Sequence, residues 1–232
     1  MPDERTPAEA YDELADRYRP DTEGDAYNAH IEFPATTDLL TDIEGKRFLD
    51  AGCGAGRYTE WLLDHGAEVV GVDASGGMLS EARERVGDRA TFHQGDLADP
   101  LDFADDDSFD GVVCALALDY VEDWRDPLAE FGRVLTDDGV LVVSARHPFD
   151  EFPIGDTEDY FAVESRTDDW AVAVPYYRRP LTELLTPLLE TGFRLDGVRE
   201  PQPTDAFARQ RPDAYEKESR QPVFLCLRAV RV

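Results

Sequence analysis

The run Asp50-Ala51-Gly52-Cys53-Gly54-Ala55-Gly56 ends an apolar stretch and opens a helical one. Glycines there let the chain turn sharply and bring its backbone within contact distance of a ligand at the carboxyl edge of a sheet. A tight turn with no ligand would need the same glycines, so the run alone is weak. Two further acids strengthen it. Asp73 closes Val69-Val70-Gly71-Val72-Asp73, and Asp96 follows the next apolar run in His93-Gln94-Gly95-Asp96-Leu97. A carboxylate about twenty residues beyond such a turn can accept both hydroxyls of a ribose. Three successive strands would thus each deliver an acid to one rim.

The elements that must position these groups follow from the pattern. Short apolar runs at 47–51, 68–72, 90–94, 109–115, 140–145, 194–198 and 223–230 alternate with helical periodicity at 58–65, 76–86, 127–134 and 181–190. That alternation marks a parallel sheet with crossover helices. Thr6-Pro7-Ala8-Glu9 has the cap, the first-turn proline and the returning acid of a helix start. A second helix is expected over 27–40. One domain over 1–232 is expected, with 1–45 as an N-terminal helical cover and 147–179, long and rich in aromatics and acids, as a lid.

Composition sets further bounds. Hydrophobic residues make up 42% of the 232, enough for one proper core. Neither an apolar run of roughly 18 residues nor a signal-like N-terminus is present, so a cytoplasmic protein is expected. Cys53, Cys114 and Cys226 form no CxxC pair, and His30, His65 and His93 are scattered, so no metal is implied. The net charge of -28 comes with lysine confined to Lys46 and Lys217. Such acidity fits either a disordered chain or a folded protein in concentrated salt, where repulsion is screened within about 3 Å. Aromatics at 10% and clear periodicity exclude the first. The composition resembles that of halophilic archaeal proteins. Residues 175–232 are nearly charge-balanced while 1–174 hold the acidic excess. That tail either faces a partner or an anionic substrate, or is buried in the sheet.

With Ser108-Phe109-Asp110-Gly111-Val112-Val113, these motifs in this order resemble class I S-adenosylmethionine-dependent methyltransferases, in the branch that includes ubiquinone and menaquinone biosynthesis enzymes. The motifs cover 47–145, and the strand count covers the rest. The resemblance implies an α/β Rossmann-like fold: a seven-stranded, mostly parallel sheet of order 3-2-1-4-5-7-6, last strand antiparallel, with helices on both faces. It also implies S-adenosylmethionine as cofactor. Asp50 would lie near its methionine amino group, with Gly52, Cys53 and Gly54 passing beside it. Asp73 with Ala74 would hold the ribose, Asp96 and Leu97 would bracket adenine, and Ala115 would line the methionine moiety.

Nicotinamide binding is the rival. Dinucleotide binders place a third glycine for phosphate in G-x-G-x-x-G, whereas position 57 here is Arg57, and Asp50 would sit unfavourably close to a pyrophosphate. Acids around a cationic sulfonium are sensible.

Methyl transfer from a sulfonium needs alignment and exclusion of water, and a base only if the acceptor must lose a proton. His147, with a pKa near neutrality, and Asp119 are candidate bases; a loop hydrogen-bonding role is the alternative for each. Tyr11 and Tyr18 on the N-terminal helix would cover the methyl site or simply pack. Tyr120, His147, Trp170, Tyr177 and Arg178 are candidate acceptor contacts, the last three by lining the lid. A small-molecule acceptor and a monomer or homodimer are expected. The alternatives are a tRNA or other nucleic-acid methyltransferase, disfavoured by the lack of a basic stripe, and a noncatalytic cofactor-binding protein.

Overall fold

The computed structural model describes residues 6–24, 26–150, 159–169 and 173–232, with the side chains of 16–24 and 168–169 also outside the description. The chain opens with α1 (Pro7–Gly24), a π-helical turn (Asn28–Glu32) and α2 (Phe33–Leu39). β1 (Arg47–Ala51), α3 (Arg57–Asp64), β2 (Glu68–Asp73), α4 (Gly76–Val86), β3 (Thr91–Gln94), β4 (Phe109–Ala115), α5 (Arg125–Val134) and β5 (Leu135–Arg146) follow. The remainder is a hairpin, β6 (Glu164–Asp169) and β7 (Ala173–Arg178), then α6 (Leu181–Glu190), β8 (Phe193–Arg199), α7 (Asp205–Gln210), α8 (Pro212–Glu218) and β9 (Phe224–Arg231).

The main sheet runs β3-β2-β1-β4-β5-β9-β8, parallel from β3 to β5, with β9 antiparallel to both of its neighbours. This is the expected seven-stranded order. The central strands are buried on both faces, which is why they read as continuous apolar runs. On one face Leu128, Phe131, Val134 and Leu184 pack with Phe109, Leu141 and Leu227; on the other Leu39, Tyr58 and Leu62 pack over Phe48, Val113 and Val142. Gly111 is required where β4 crosses the Phe48 ring, since a Cβ there would collide with it.

Local chemistry sets the helix ends. Thr6 and Glu9 form the reciprocal cap of α1: the Glu9 amide donates to Thr6 Oγ1 at 3.3 Å and the Thr6 amide to Glu9 Oε2 at 2.9 Å. Ser75 caps α4, accepting from the Met78 amide at 3.0 Å. The helix expected over 27–40 is present, but with a wider turn at Asn28–Glu32. Pro34 has no N–H to give to the His30 carbonyl, which instead accepts from the Thr204 amide at 3.2 Å. The loop leading into α7 is thereby tied to the N-terminal cover.

Three features differ from the sequence reading. The 147–179 segment contains the β6–β7 pair, a second small sheet beside α1. β5 begins at Leu135 because Leu135 already pairs with Phe109 before an irregularity in register. Between β8 and β9 lie α7 and α8, whose six and seven residues are too short to show periodicity. Phe131 is fully buried, so Phe131→Ala is expected to cost about 3–5 kcal/mol of stability. Denaturant unfolding measures it, and a loss under about 1 kcal/mol would remove Phe131 from the core described here.

Candidate functional site

The glycine run forms the turn between β1 and α3. Gly52, Gly54 and Gly56 have φ of 74°, 50° and 78°. A side chain at Gly52 would also collide with Ala117. The left-handed backbone lets Gly52 and Cys53 both donate to the Val72 carbonyl, at 2.8 and 3.0 Å, and Gly54 to Asp73 Oδ2 at 2.8 Å. Asp73 Oδ1 accepts from the Ser75 amide at 2.9 Å. Burial raises the Asp73 pKa against the pull of these two amides. The turn and the ends of β1 and β2 are therefore one hydrogen-bonded unit.

A cavity of about 1090 Å³ opens over this unit, at the carboxyl ends of the parallel strands. On one side it is lined by Gly52, Cys53, Gly54, Asp73, Ala74, Asp96, Leu97 and Ala115, the residues expected for the cofactor except Asp50. Asp50 lies behind the turn, buried, accepting from Thr59 Oγ1 at 2.6 Å, and burial pushes its pKa up to about 7. It fixes α3 to β1 and is not among the described residues that line the cavity.

Tyr11 and Tyr120 close one mouth. Their rings meet edge to face with centroids 5.5 Å apart and their hydroxyl oxygens are 2.5 Å apart. α1 is held there because Asp12 accepts from Ser75 Oγ at 2.5 Å and from the Gly77 amide at 3.0 Å, at the positive end of α4. Asp119 is buried, lines the cavity and accepts from the Arg146 amide at 3.0 Å. The loop carrying Asp119 and Tyr120 is clamped from outside. Arg179 donates to the Val121 carbonyl at 2.6 Å and lies 4.9 Å above the Trp124 ring, whose Nε1 donates to the Leu118 carbonyl at 2.7 Å.

Two expected acceptor residues are turned away. His147 is buried but does not line the cavity: its Nδ1 accepts from the Phe149 amide at 3.2 Å, and its Nε2 lies 3.0 Å from Glu200. Burial lowers its pKa. Its neighbour Arg146 faces the cavity instead. Arg178 is equally committed, donating to the carbonyls of Asp159 and Ala162 at 2.7 and 3.2 Å, with Glu164 at 3.3 Å. It organises the lid. Tyr177, half-buried on β7, is also absent from the described lining. Trp170 and the Tyr18 side chain lie outside the described residues.

The sequence reading missed the opposite wall. The π-helical turn and α7–α8 add Tyr27, Asn28, Glu32, Gln210, Arg211, Lys217 and Glu218 to the lining. Glu32 is buried, and its Oε1 accepts from the hydroxyls of Thr36, Tyr58 and Ser144 at 2.8, 2.7 and 2.6 Å. Burial raises its pKa. The available sequence signal was an acid between two apolar residues, Ile31-Glu32-Phe33, in a segment read as helical. No group of three or more His, Cys, Asp or Glu side chains among the described residues could hold a metal ion.

Chemically, the rim offers glycine backbone for close approach and Asp73 and Asp96 as acceptors. An acid-lined wall without a phosphate cradle suits a cationic nucleoside. Two outcomes follow. Asp73→Ala is expected to weaken binding of S-adenosylhomocysteine by about 1.5–3 kcal/mol, and unchanged affinity by calorimetry removes Asp73 from the site. For Asp50, a folded pKa near 7 above an ordinary value of about 4 means stability present at low pH and lost as pH rises between them. Asp50→Asn should therefore melt like the parent near about pH 4 and above it near about pH 8, and a gap that does not grow with pH refutes the assignment.

A methyltransferase-domain family model matches residues 49–143. The crystal structure of an S-adenosylmethionine-dependent methyltransferase from Mesorhizobium loti is 32% identical with a TM-score of 0.78, covering 90% of this chain and 100% of that one. The demethylmenaquinone methyltransferase of Clavibacter sepedonicus is 38% identical over 136 residues, 57% of this chain and 55% of that protein. The malonyl-[acyl-carrier protein] O-methyltransferase of Salmonella typhimurium is 36% identical over 118 residues, 49% of this chain and 45% of that protein. The chain spans about half the length of these two curated relatives. With the sheet order, the glycine turn and the acid rim in place, this chain belongs to the S-adenosylmethionine-dependent methyltransferases, and S-adenosylmethionine is its cofactor.

Proposed function

We propose that the chain transfers a methyl group from S-adenosylmethionine to a small-molecule acceptor, working as one domain. The observation that carries this is the continuous cavity, which joins the acid-bearing rim of β1 to β4 with a second lobe under α7 and α8. The cofactor supplies a methyl group already activated by its sulfonium centre. In this reading Asp73 accepts from the ribose hydroxyls, Ala74 packs beside it, Asp96 and Leu97 bracket the adenine, and Gly52, Cys53, Gly54 and Ala115 line the methionine part. Asp50 acts through the turn it fixes.

The protein's own work is alignment and exclusion of water. Tyr11 and Tyr120 close the mouth, and the Arg179 clamp keeps Asp119 at the wall. With His147 facing Glu200, a proton leaving the acceptor would pass to one of the buried carboxyl groups on the cavity surface, Asp119, Glu32 or Glu218. The acidic surface favours a small acceptor over a nucleic acid, whose phosphates would call for a basic stripe. The named relatives act on demethylmenaquinone and malonyl-[acyl-carrier protein], which supports small or tethered acceptors and leaves a quinone-type ring within the reading.

We further read the net charge of -28 as adaptation to concentrated salt, in a cytoplasmic protein from a halophilic archaeon. No helix among the described residues is long and apolar enough to cross a membrane. Methyl-labelled S-adenosylmethionine incubated with fractionated small molecules of a cell extract should label a low-mass fraction in about 2 M KCl and far less in about 0.1 M, where the Debye length is about 10 Å and surface carboxylates repel. Label appearing only in RNA, or in no fraction while the cofactor still binds, overturns the small-molecule reading.

A further inference from the structure

The far lobe of the cavity holds a group that the fold itself does not complete. Glu218, the last residue of α8, is only 4% exposed and lines the cavity. Its Oε1 accepts from the Tyr27 hydroxyl and from Lys217 Nζ, both at 3.2 Å. Its Oε2 is buried with no hydrogen-bond partner. A carboxylate oxygen without a donor costs the desolvation of that atom, and the end of a helix that carries Glu218 is the negative end, which disfavours an acid further. Nothing in the packing of α8 needs that arrangement.

The surroundings specify what would complete it. Tyr27 keeps its proton, its pKa pushed up to about 12 by burial and by Glu218, so it stays a donor to Oε1 and leaves Oε2 to another group. Leu116, Val223 and Phe224 supply an apolar wall beside the pair. Leu116 directly follows β4 and Ala115, so this lobe adjoins the methionine end of the cofactor site without belonging to it.

We infer that the Glu218 carboxylate is the recognition point for the methyl acceptor, turning the Oε2 that the present packing encloses toward an apolar body with a hydrogen-bond-donating head, an ammonium or a hydroxyl. This rests on the methyl-transfer reading and deepens it by naming the chemistry of the second ligand. An ammonium would form a charge-assisted bond inside a water-poor lobe; a hydroxyl would complete the same oxygen without adding charge. A carboxylate head would meet repulsion from Glu218, and the cations beside it are already engaged, Lys217 with Glu218 and Arg211 with Asp213.

Calorimetry on the whole protein, saturated with S-adenosylhomocysteine in concentrated salt, tests this with three probes sharing one phenyl ring: 2-phenylethylamine, 2-phenylethanol and phenylacetate. The amine or the alcohol is expected to bind, the tighter one naming the donor, while phenylacetate does not. Glu218→Gln should weaken the bound probe by about tenfold or more while leaving S-adenosylhomocysteine affinity within about twofold, which also shows that the variant is folded. Preferred binding of phenylacetate, equal probe affinity in the variant, or loaded protein that takes up none of the probes overturns the inference. Protein that fails to take up S-adenosylhomocysteine at the outset overturns the methyl-transfer reading as well.

Discussion

The site depends on a single bend in the backbone. Because Gly52, Gly54 and Gly56 occupy left-handed conformations, the amides after β1 turn toward β2 and bond the Val72 carbonyl and the carboxylate of its last residue, Asp73. That contact fixes the start of α3, the position of Asp73 and, through Ser75, the start of α4. α4 in turn anchors Asp12 and with it the cover that carries Tyr11. An ordinary side chain at Gly52 would be strained in this conformation and would strike Ala117 in the loop after β4. The glycines thus set the floor of the cavity and let the loop after β4 close against it.

Around that floor, polar groups are committed to holding the shape more often than to meeting a ligand. Arg178 and Arg179 are buried guanidinium groups spent on backbone carbonyls, one in the lid and one in the loop after β4. A planar donor with five N–H groups can satisfy several carbonyls of an irregular loop at once, which a lysine cannot. In a chain with lysine nearly absent, arginine therefore acts as loop staple as well as counter-charge.

Much of the sheet could be read from the residues alone, and for a definite reason: strands covered on both faces must be apolar throughout, and the turns between them need glycine or an acid at fixed places. The rim residues Gly52, Gly54, Asp73, Asp96 and Leu97 were legible on the same grounds. Side-chain direction was not. His147 directly follows β5, whose last residue Arg146 lines the cavity, but faces Glu200 on the other side, and only the three-dimensional course of the strand end decides between them. The β6–β7 pair was hidden because β6, Glu164 to Asp169, is polar and its partner β7 leans on α1 instead of on a continuous core. Glu32 was hidden because its three hydroxyl partners come from α2, α3 and β5, far apart in sequence. The loop into α7 is held to the N-terminal cover by the His30 carbonyl that Pro34 leaves open to Thr204 and by Phe207, buried against Tyr27 and Ile31.

That proline has a wider effect. The wall over β5 joins a segment near the start of the chain to one near its end, so a growing polypeptide can assemble the β1–β4 rim long before the enclosure exists. Early in synthesis the rim would be an open shelf, able to touch a nucleoside but unable to shield it. The compartment is complete only where residues 27–34 and 204–218, distant in the chain, have met.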